Sequence, residues 1–374
     1  MPTEKLTVAH YASSYLPITE NWIHKLLTNF KSFAPIFLTR KKRNIELFPL
    51  SMVISLSDFS DVGKFAQLIL FRVIGYFPFF KKACLEHRAK LIHVHFGYHG
   101  IKMLGLKRTL KIPLVCSFYG DDAFADIFTS NQKYEGLFQE ANRILVLGSY
   151  MKARLIRLGC DESKIYVHHL GIDLDSIQFL KRNVQKNEPI RFLIASSFLE
   201  KKGVDIALQA LSTLALHFDF RVDVIGDGPL RPNIESIVYG NNLGERIVLY
   251  GYRPYDFFID LAYHCHVFIQ ASKTTPDNRK EGTPMAIADV MATGMPVIAT
   301  RHSDIPELVK DNVTGYLADE NDVDSLIEVL RKLLSNPDRI AGMGMEARMH
   351  IEREFNVKIQ GERLEQHYFD LLKA

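Results

Sequence analysis

Two α/β domains in one chain, each a doubly wound parallel sheet, are what this sequence predicts. Three observations carry that expectation. Short β-rich apolar runs alternate with helical patterns along the chain, as parallel strands joined by helical crossovers require. The alternation is broken once, by a polar and charged stretch from Ile172 to Pro189. The length, 374 residues, suits two domains of ordinary size.

The first set of runs is LTVAHY from Leu6, APIFLT from Ala34, LIHVHFG from Leu91, PLVCSFYG from Pro113 and RILVLG from Arg143. The stretch Ile172–Pro189, ending in RNVQKNEP, is the expected linker. The second set is IRFLIASS from Ile190, FRVDVIGDG from Phe220, RIVLYG from Arg246, HVFIQAS from His266 and MPVIAT from Met295. Residues 355–374 are amphipathic and follow the second domain.

Composition is that of a soluble globular protein, with a formal net charge of +3. The polar first residues lead straight into LTVAHY, so no secretory signal is expected. The longest apolar stretch, Phe65–Phe80, is broken by Gln67, Arg72 and Pro78 and is too short to span a bilayer. Cys84, Cys116, Cys160 and Cys265 form no CxxC pair and read as reduced thiols of a cytoplasmic protein. Up to Asp175 there are 23 basic and 15 acidic residues. The excess lies before Gly100, interleaved with Phe77, Phe79 and Phe80, which suggests an anionic membrane face or a lipid-diphosphate acceptor. Nucleic acid is not expected, because no recognition motif accompanies the charge.

The most informative block is Lys280–Thr300. Gly282-Thr283-Pro284 suits a turn that opens a helix, Met285 to Met291 a short helix, Gly294 its terminator and Pro296–Ala299 a buried strand. A helix start offers unpaired backbone N–H groups to an anion. Glu281 precedes that start, and Asp289 follows about two turns later on the same side. The segment Ser196–Leu211 repeats the logic, with Lys201-Lys202-Gly203 in a loop just before a helix.

These blocks, in this order, resemble the retaining GT-B glycosyltransferases of the large family 4 and their E-x7-E signature. The match is strongest from Ala141 to Leu330 and looser before it. The resemblance implies a GT-B fold, two doubly wound Rossmann-like domains facing across a cleft. Residues 1–175 would form the acceptor side, with the last helix, 356–374, packing back on it, and 188–355 the donor side. Glu281 would hold the donor sugar, the loop Gly282, Thr283, Pro284 and Met285 the sugar and diphosphate, and Asp289 the ribose. Asp289 stands where the family usually has Glu, one methylene longer. Lys202 matches the lysine of the family's G-R-L-x-x-x-K-G block. Ser197 stands where its Arg usually stands, which removes a cation unless Lys201, Arg279 or Lys280 replaces it. Tyr252 and Arg253, on a strand's exit loop, would neighbour the base. Ile305–Leu308 and Gly315–Leu317 match segments that shape the sheet edge.

In the first domain Ser117–Phe124 resembles the family's H-G-x-D block. Gly120 and Asp122 match, and Tyr119 replaces the His, so no imidazole base is implied there. Tyr119 and Asp122 join Glu281 and Lys202 as catalytic candidates. His10, Tyr15, Glu20 and His95 are the acceptor-side candidates. The histidines His93, His95 and His99 invite a zinc reading, but without Cys partners or an HExxH helix no metal is expected. No cofactor is expected either, since the nucleotide-sugar is a substrate.

The implied reaction moves a hexose from a nucleotide-sugar to a glycan, or to a polyprenyl-diphosphate-linked glycan, in surface polysaccharide biosynthesis. The expected place is the cytoplasm, peripheral to the inner face of the cell membrane. Two other readings stay open: a non-catalytic nucleotide-sugar-binding protein, motivated by Ser197, Tyr119 and Asp289, and a GT-B phosphorylase or synthase acting on a free sugar. A nicotinamide oxidoreductase would share twin domains, but no G-x-G-x-x-G turn follows the first strand.

Overall fold

Every strand pair is parallel in the two sheets of the computed structural model, which describes residues 5–125, 133–185 and 188–373. The first sheet contains β1 (Leu6–Tyr11), β2 (Phe33–Thr39), β3 (Val53–Ser55), β4 (Leu91–His95), β5 (Leu114–Ser117), β6 (Arg143–Val146) and β7 (Ile165–Val167). Its order is β3-β2-β1-β4-β5-β6-β7. The second contains β8 (Ile190–Ala195), β9 (Phe220–Ile225), β10 (Ile247–Gly251), β11 (Val267–Gln270), β12 (Val297–Thr300) and β13 (Gly315–Ala318), in the order β10-β9-β8-β11-β12-β13. Both are Rossmann orders, which reverse direction between β1 and β4 and between β8 and β11. Loops leaving the carboxyl ends at such a reversal make the crevice where ligands of open α/β sheets bind.

The ten apolar runs of the sequence all form strands. The strands the alternation did not announce are β3, β7 and β13, of three or four residues, each at a sheet edge. A run that short shows no usable period. In the second sheet successive residues feed opposite cores. Phe192, Ile194, Val267 and Ile269 join one cluster, and Leu193 and Phe268 the other. Period-two alternation with both faces covered explains why these strands read as unbroken apolar runs.

The chain divides into two units, residues 1–171 with 357–374, and residues 172–356. The final helix, Val357–Lys373, therefore belongs to the first unit. Its Leu364 and Tyr368 are buried in that unit's core, and the Glu365 carboxylate accepts the N–H groups of Ser32 and Phe33 at 2.6 and 3.0 Å, where β2 begins.

The expected linker is part of the second unit instead, apart from residues 186–187, which lie outside the described residues. Ile172 and Ile177 are buried in its core, and Ile172 donates its N–H to Phe355 at 2.6 Å. Arg182 is buried, and its guanidinium donates to the carbonyls of Cys265, Ala262 and Thr293, each at 2.8 Å, and to the Thr293 hydroxyl at 2.8 Å. Burial pushes its pKa down to about 10. A polar segment looks like a linker until its charged group finds carbonyls that only the folded chain supplies.

The aromatic residues expected on a basic surface are also relocated. Phe77 and Phe80 are buried and Phe79 half-buried. All four cysteines are free and buried. Among the described residues no helix is long and apolar enough to cross a membrane.

Arg182→Ala removes its hydrogen bonds to three buried carbonyls and to the Thr293 hydroxyl, so the second unit should lose about 3 kcal/mol of stability. Denaturant midpoints of the purified variant check this, and an unchanged midpoint would return 172–185 to the status of a passive connection.

Candidate functional site

The site is built where the second sheet reverses order, from the loops that leave β8 and β11. After β8 the chain makes a short helical turn, Glu200–Lys202, and then Gly203 at φ +62°. A Cβ on Gly203 would lie 1.8 Å from the carbonyl oxygen of Ala271, the residue after β11. Only glycine permits both that backbone angle and that approach. Lys273 N–H also donates to the Lys201 carbonyl at 2.9 Å, so the two exit loops are stitched together.

The stitch brings charges together. Lys202 Nζ donates to Glu281 Oε2 at 2.7 Å, and Lys201 Nζ lies 3.4 Å from Glu281 Oε1. Glu281 is 7 % exposed. Burial alone would raise its pKa, but Lys202 and Lys201 outweigh it and hold the carboxyl below its ordinary range. Its Oε1 accepts no hydrogen bond among the described residues. That oxygen faces the Lys201 ammonium at 3.4 Å and keeps room for a further donor. The three proposed substitutes for the missing arginine now separate. Lys201 faces Glu281, whereas Arg279 pairs with Asp277 at 2.8 Å and Lys280 donates to the Thr274 hydroxyl at 2.6 Å.

Two residues that sequence reasoning missed brace Glu281 from behind. The Glu281 N–H donates to His302 Nε2 at 3.0 Å, so the ring proton sits on Nδ1 and donates to Glu320 Oε2 at 2.7 Å. Glu320 Oε1 accepts the Thr274 N–H at 2.5 Å. Burial works against the Glu320 charge, but the bonds from His302 and Thr274 overcome it and set its pKa at about 2. His302 follows β12 and Glu320 follows β13, so no spacing in the sequence signals their meeting.

The helix of the signature block spans Met285–Ala292, with Pro284 at its N-cap and Gly294 at φ +84° just past its end. The first amides of any helix lack intrahelical partners. Gly282, Thr283 and Met285 are half-buried at that start, and Pro284 is buried. Asp289 is buried, and Tyr255 donates to its Oδ1 at 2.9 Å. Tyr255, a second neighbour missed from sequence, is the first residue of the helix Tyr255–Tyr263. Ser197, Tyr252 and Arg253 are exposed on the loops after β8 and β10.

In the first unit the sequence-derived candidates fare differently. Asp122 is buried, and its carboxylate accepts the N–H groups of Gly97, Tyr119 and Gly120, all at 2.9 Å. Burial pushes its pKa up to about 6 against those bonds. Those bonds hold the loop together. Tyr119 is half-buried, packs against Trp22 with tilted rings 4.3 Å apart between centres, and bonds His95 Nδ1 through its hydroxyl at 2.7 Å.

His10, Tyr15 and His95, expected on the acceptor side, are all fully buried. Tyr15 spends its hydroxyl on the Phe48 carbonyl at 2.6 Å. A side chain closed off from water does not meet an acceptor, so these three are withdrawn from that role. Glu20 stays accessible, and burial of part of its surface raises its pKa to about 7.

The histidines instead form a buried cluster at the reversal of the first sheet. Ring nitrogens of His10, His93 and His95 lie within 4.8 Å of one another, with His10 in place of the His99 of the zinc reading. His10 Nδ1 bonds His95 Nε2 at 3.2 Å, and His93 bonds Tyr368 at 2.5 Å and Ser117 at 2.7 Å. Burial first, then mutual repulsion, pushes all three pKa values down, to about 3 for His95.

Comparison with known proteins adds an independent line. The family model for glycosyl transferases group 1 matches residues 176–350, and that for Glycosyltransferase Family 4 matches residues 61–176. The chain is 31 % identical over 276 residues to the amylovoran biosynthesis glycosyltransferase AmsK of Erwinia amylovora, covering 72 % of this chain and 68 % of that one. It is 28 % identical over 279 residues to the putative colanic acid biosynthesis glycosyltransferase WcaL of Escherichia coli K12, covering 73 % and 68 %. Among solved structures, Anabaena HepE in complex with UDP superposes with a TM-score of 0.77 at 15 % identity, over 98 % of this chain and 100 % of that one.

The brace yields two expectations. His302→Ala leaves the buried Glu281 amide unpaired and should cost about 2 kcal/mol, read from denaturant midpoints. Because its pKa lies below the ordinary 4.5, the stability Glu320 contributes is full above pH 4.5 and is lost as pH falls towards 2. Glu320→Gln should therefore show a shallower loss than the parent across that window, and parallel curves would exclude the brace.

Proposed function

This chain, a GT-B fold, belongs to the group 1 glycosyltransferases of family 4, and on that premise we propose that it transfers a hexose from a nucleoside-diphosphate sugar to a glycan acceptor with retention at the anomeric carbon. The observation that carries the donor assignment is the Lys202–Glu281 contact, with Lys201 beside it, at the strand reversal of the second sheet. Cations suit a diphosphate and a buried carboxylate suits sugar hydroxyls. One site supplies both.

In this reading Glu281 fixes the sugar through the oxygen that has no hydrogen bond, and the two lysines balance charge on the diphosphate. The amides at the start of Met285–Ala292 add donors to the phosphate oxygens. Asp289, held by Tyr255, binds the ribose. Tyr252 and Arg253 neighbour the base, and Ser197 lies at the phosphate end. Tyr119 and Glu20 serve the acceptor side. As the bond from the anomeric carbon to the diphosphate breaks, the acceptor oxygen bonds that carbon from the same face. Its proton passes to the departing diphosphate oxygen. The protein contributes positioning and electrostatic stabilisation, with no protein nucleophile.

The acceptor is read as a glycan carried on a polyprenyl diphosphate, in surface polysaccharide assembly. AmsK and WcaL, named for amylovoran and colanic acid biosynthesis, support the polysaccharide setting, and HepE holds UDP. The alternative of a binding protein without activity rested on Ser197, Tyr119 and Asp289, the first of which removes the family's arginine. Lys201 beside Glu281 restores that charge, which favours the enzyme.

A thermal-shift panel of UDP-, GDP-, ADP- and dTDP-sugars tests the donor site, since a native-state ligand raises the melting point. One base should give a clear shift, and none at all would overturn the reading. Glu281→Ala and Lys202→Ala should each lower transfer about a hundredfold with the fold intact. Near-parental turnover in both would remove the site assignment.

A further inference from the structure

The helix Asp61–Ile74 is amphipathic the wrong way round for a surface helix. None of its residues is buried, yet Val62, Phe65 and Val73 are 81, 66 and 75 % exposed, and Ile69 and Leu70 are exposed as well. Positions 62, 65, 66, 69, 70 and 73 fall on one stripe of a helix. They carry only apolar side chains, and that stripe faces solvent. The half-buried Leu68 and Phe71 lie on the opposite side, where Phe71 stacks on Phe77 at 4.6 Å between ring centres. The helix Pro78–Glu86 beside it adds an exposed Leu85.

We propose that this stripe is a membrane-docking face, and that its occupant is a bilayer carrying anionic headgroups. Two arguments select the lipid. Residues 61–90 hold six basic side chains (Lys64, Arg72, Lys81, Lys82, Arg88, Lys90) against two acidic ones. Glu86 is already within 3.6 Å of Lys82. An apolar stripe in a segment whose Arg72, Lys82, Arg88 and Lys90 are exposed has the composition of a surface that docks on anionic lipid. Two copies meeting face to face would instead bring those like charges together. The choice also rests on the lipid-linked acceptor of the preceding reading, since an enzyme acting on such an acceptor works at a bilayer surface.

Flotation of the full chain with phosphatidylcholine vesicles, with and without phosphatidylglycerol, is the test. The parent should float with the anionic vesicles, and the double variant F65D/V73D should float about tenfold less. Both positions are exposed, so melting temperature and any donor-induced thermal shift should match the parent. Adding salt should weaken the parent's binding. No flotation, or equal flotation of parent and variant, overturns the proposal. So does equal binding to neutral and anionic vesicles, which removes the headgroup requirement. A dimer in size-exclusion chromatography that F65D/V73D splits, without vesicle binding, assigns the face to a second copy. Flotation without any donor shift leaves the membrane face standing and removes the donor reading alone.

Discussion

Glu281 is a carboxylate withdrawn from water, and it stays ionised because two ammonium groups from another strand's exit loop face it. Taking such a charge out of water costs several kcal/mol, and the Coulomb attraction of a partner roughly offsets that. A cluster of this kind adds little to stability by itself, yet much depends on it being in place. Lys202 and Glu281 are 79 positions apart and meet because β8 and β11 are neighbours in the sheet. Gly203 lets the loop after β8 approach Ala271, and the His302–Glu320 pair fixes the Glu281 backbone. Strand order, one positive-φ glycine and a buried histidine together bring three side chains into one charged cluster.

The same strand reversal occurs in the first sheet with the opposite chemistry. There His10 is the penultimate residue of β1, His95 ends β4, and the two rings bond each other. Burial makes that cluster neutral, and its hydrogen bonds run from Tyr119 through His95 to His10. A second line runs from Ser117 through His93 to Tyr368 of the final helix. One reversal thus concentrates charge, while the other ties the core of its unit to the helix Val357–Lys373. Fold topology offers the location in both cases, and the side chains decide what is done with it.

The exposed stripe on Asp61–Ile74 shows the converse case, a local pattern that the fold leaves without a partner. Hydrophobic burial is the usual reason an amphipathic helix forms in a protein. Here Leu68 and Phe71 supply a modest inner contact, and a Ser60 cap and a Gly75 terminator complete the helix. The larger apolar surface remains in water, which is costly at about 25 cal/mol per Å² unless something covers it.

Much was legible in the sequence because it is written locally. Ten apolar runs became ten strands, and the turn, helix, glycine and strand of Lys280–Thr300 stand as their residue types dictate. The order of the family-like blocks was enough to place Lys202 and Glu281 at one site. Tertiary structure alone decided the rest. The direction of a strand-end side chain depends on what the neighbouring strand and helix cover, so His10, Tyr15 and His95 went inside. Asp122 gathers three amides that converge only after the first sheet has formed. Arg182 found its carbonyls, and Glu281 its histidine brace, across sequence gaps that carry no periodic signal. Periodicity fixes which residues of Asp61–Ile74 share a face, but only the packing of other elements determines that this face looks outward.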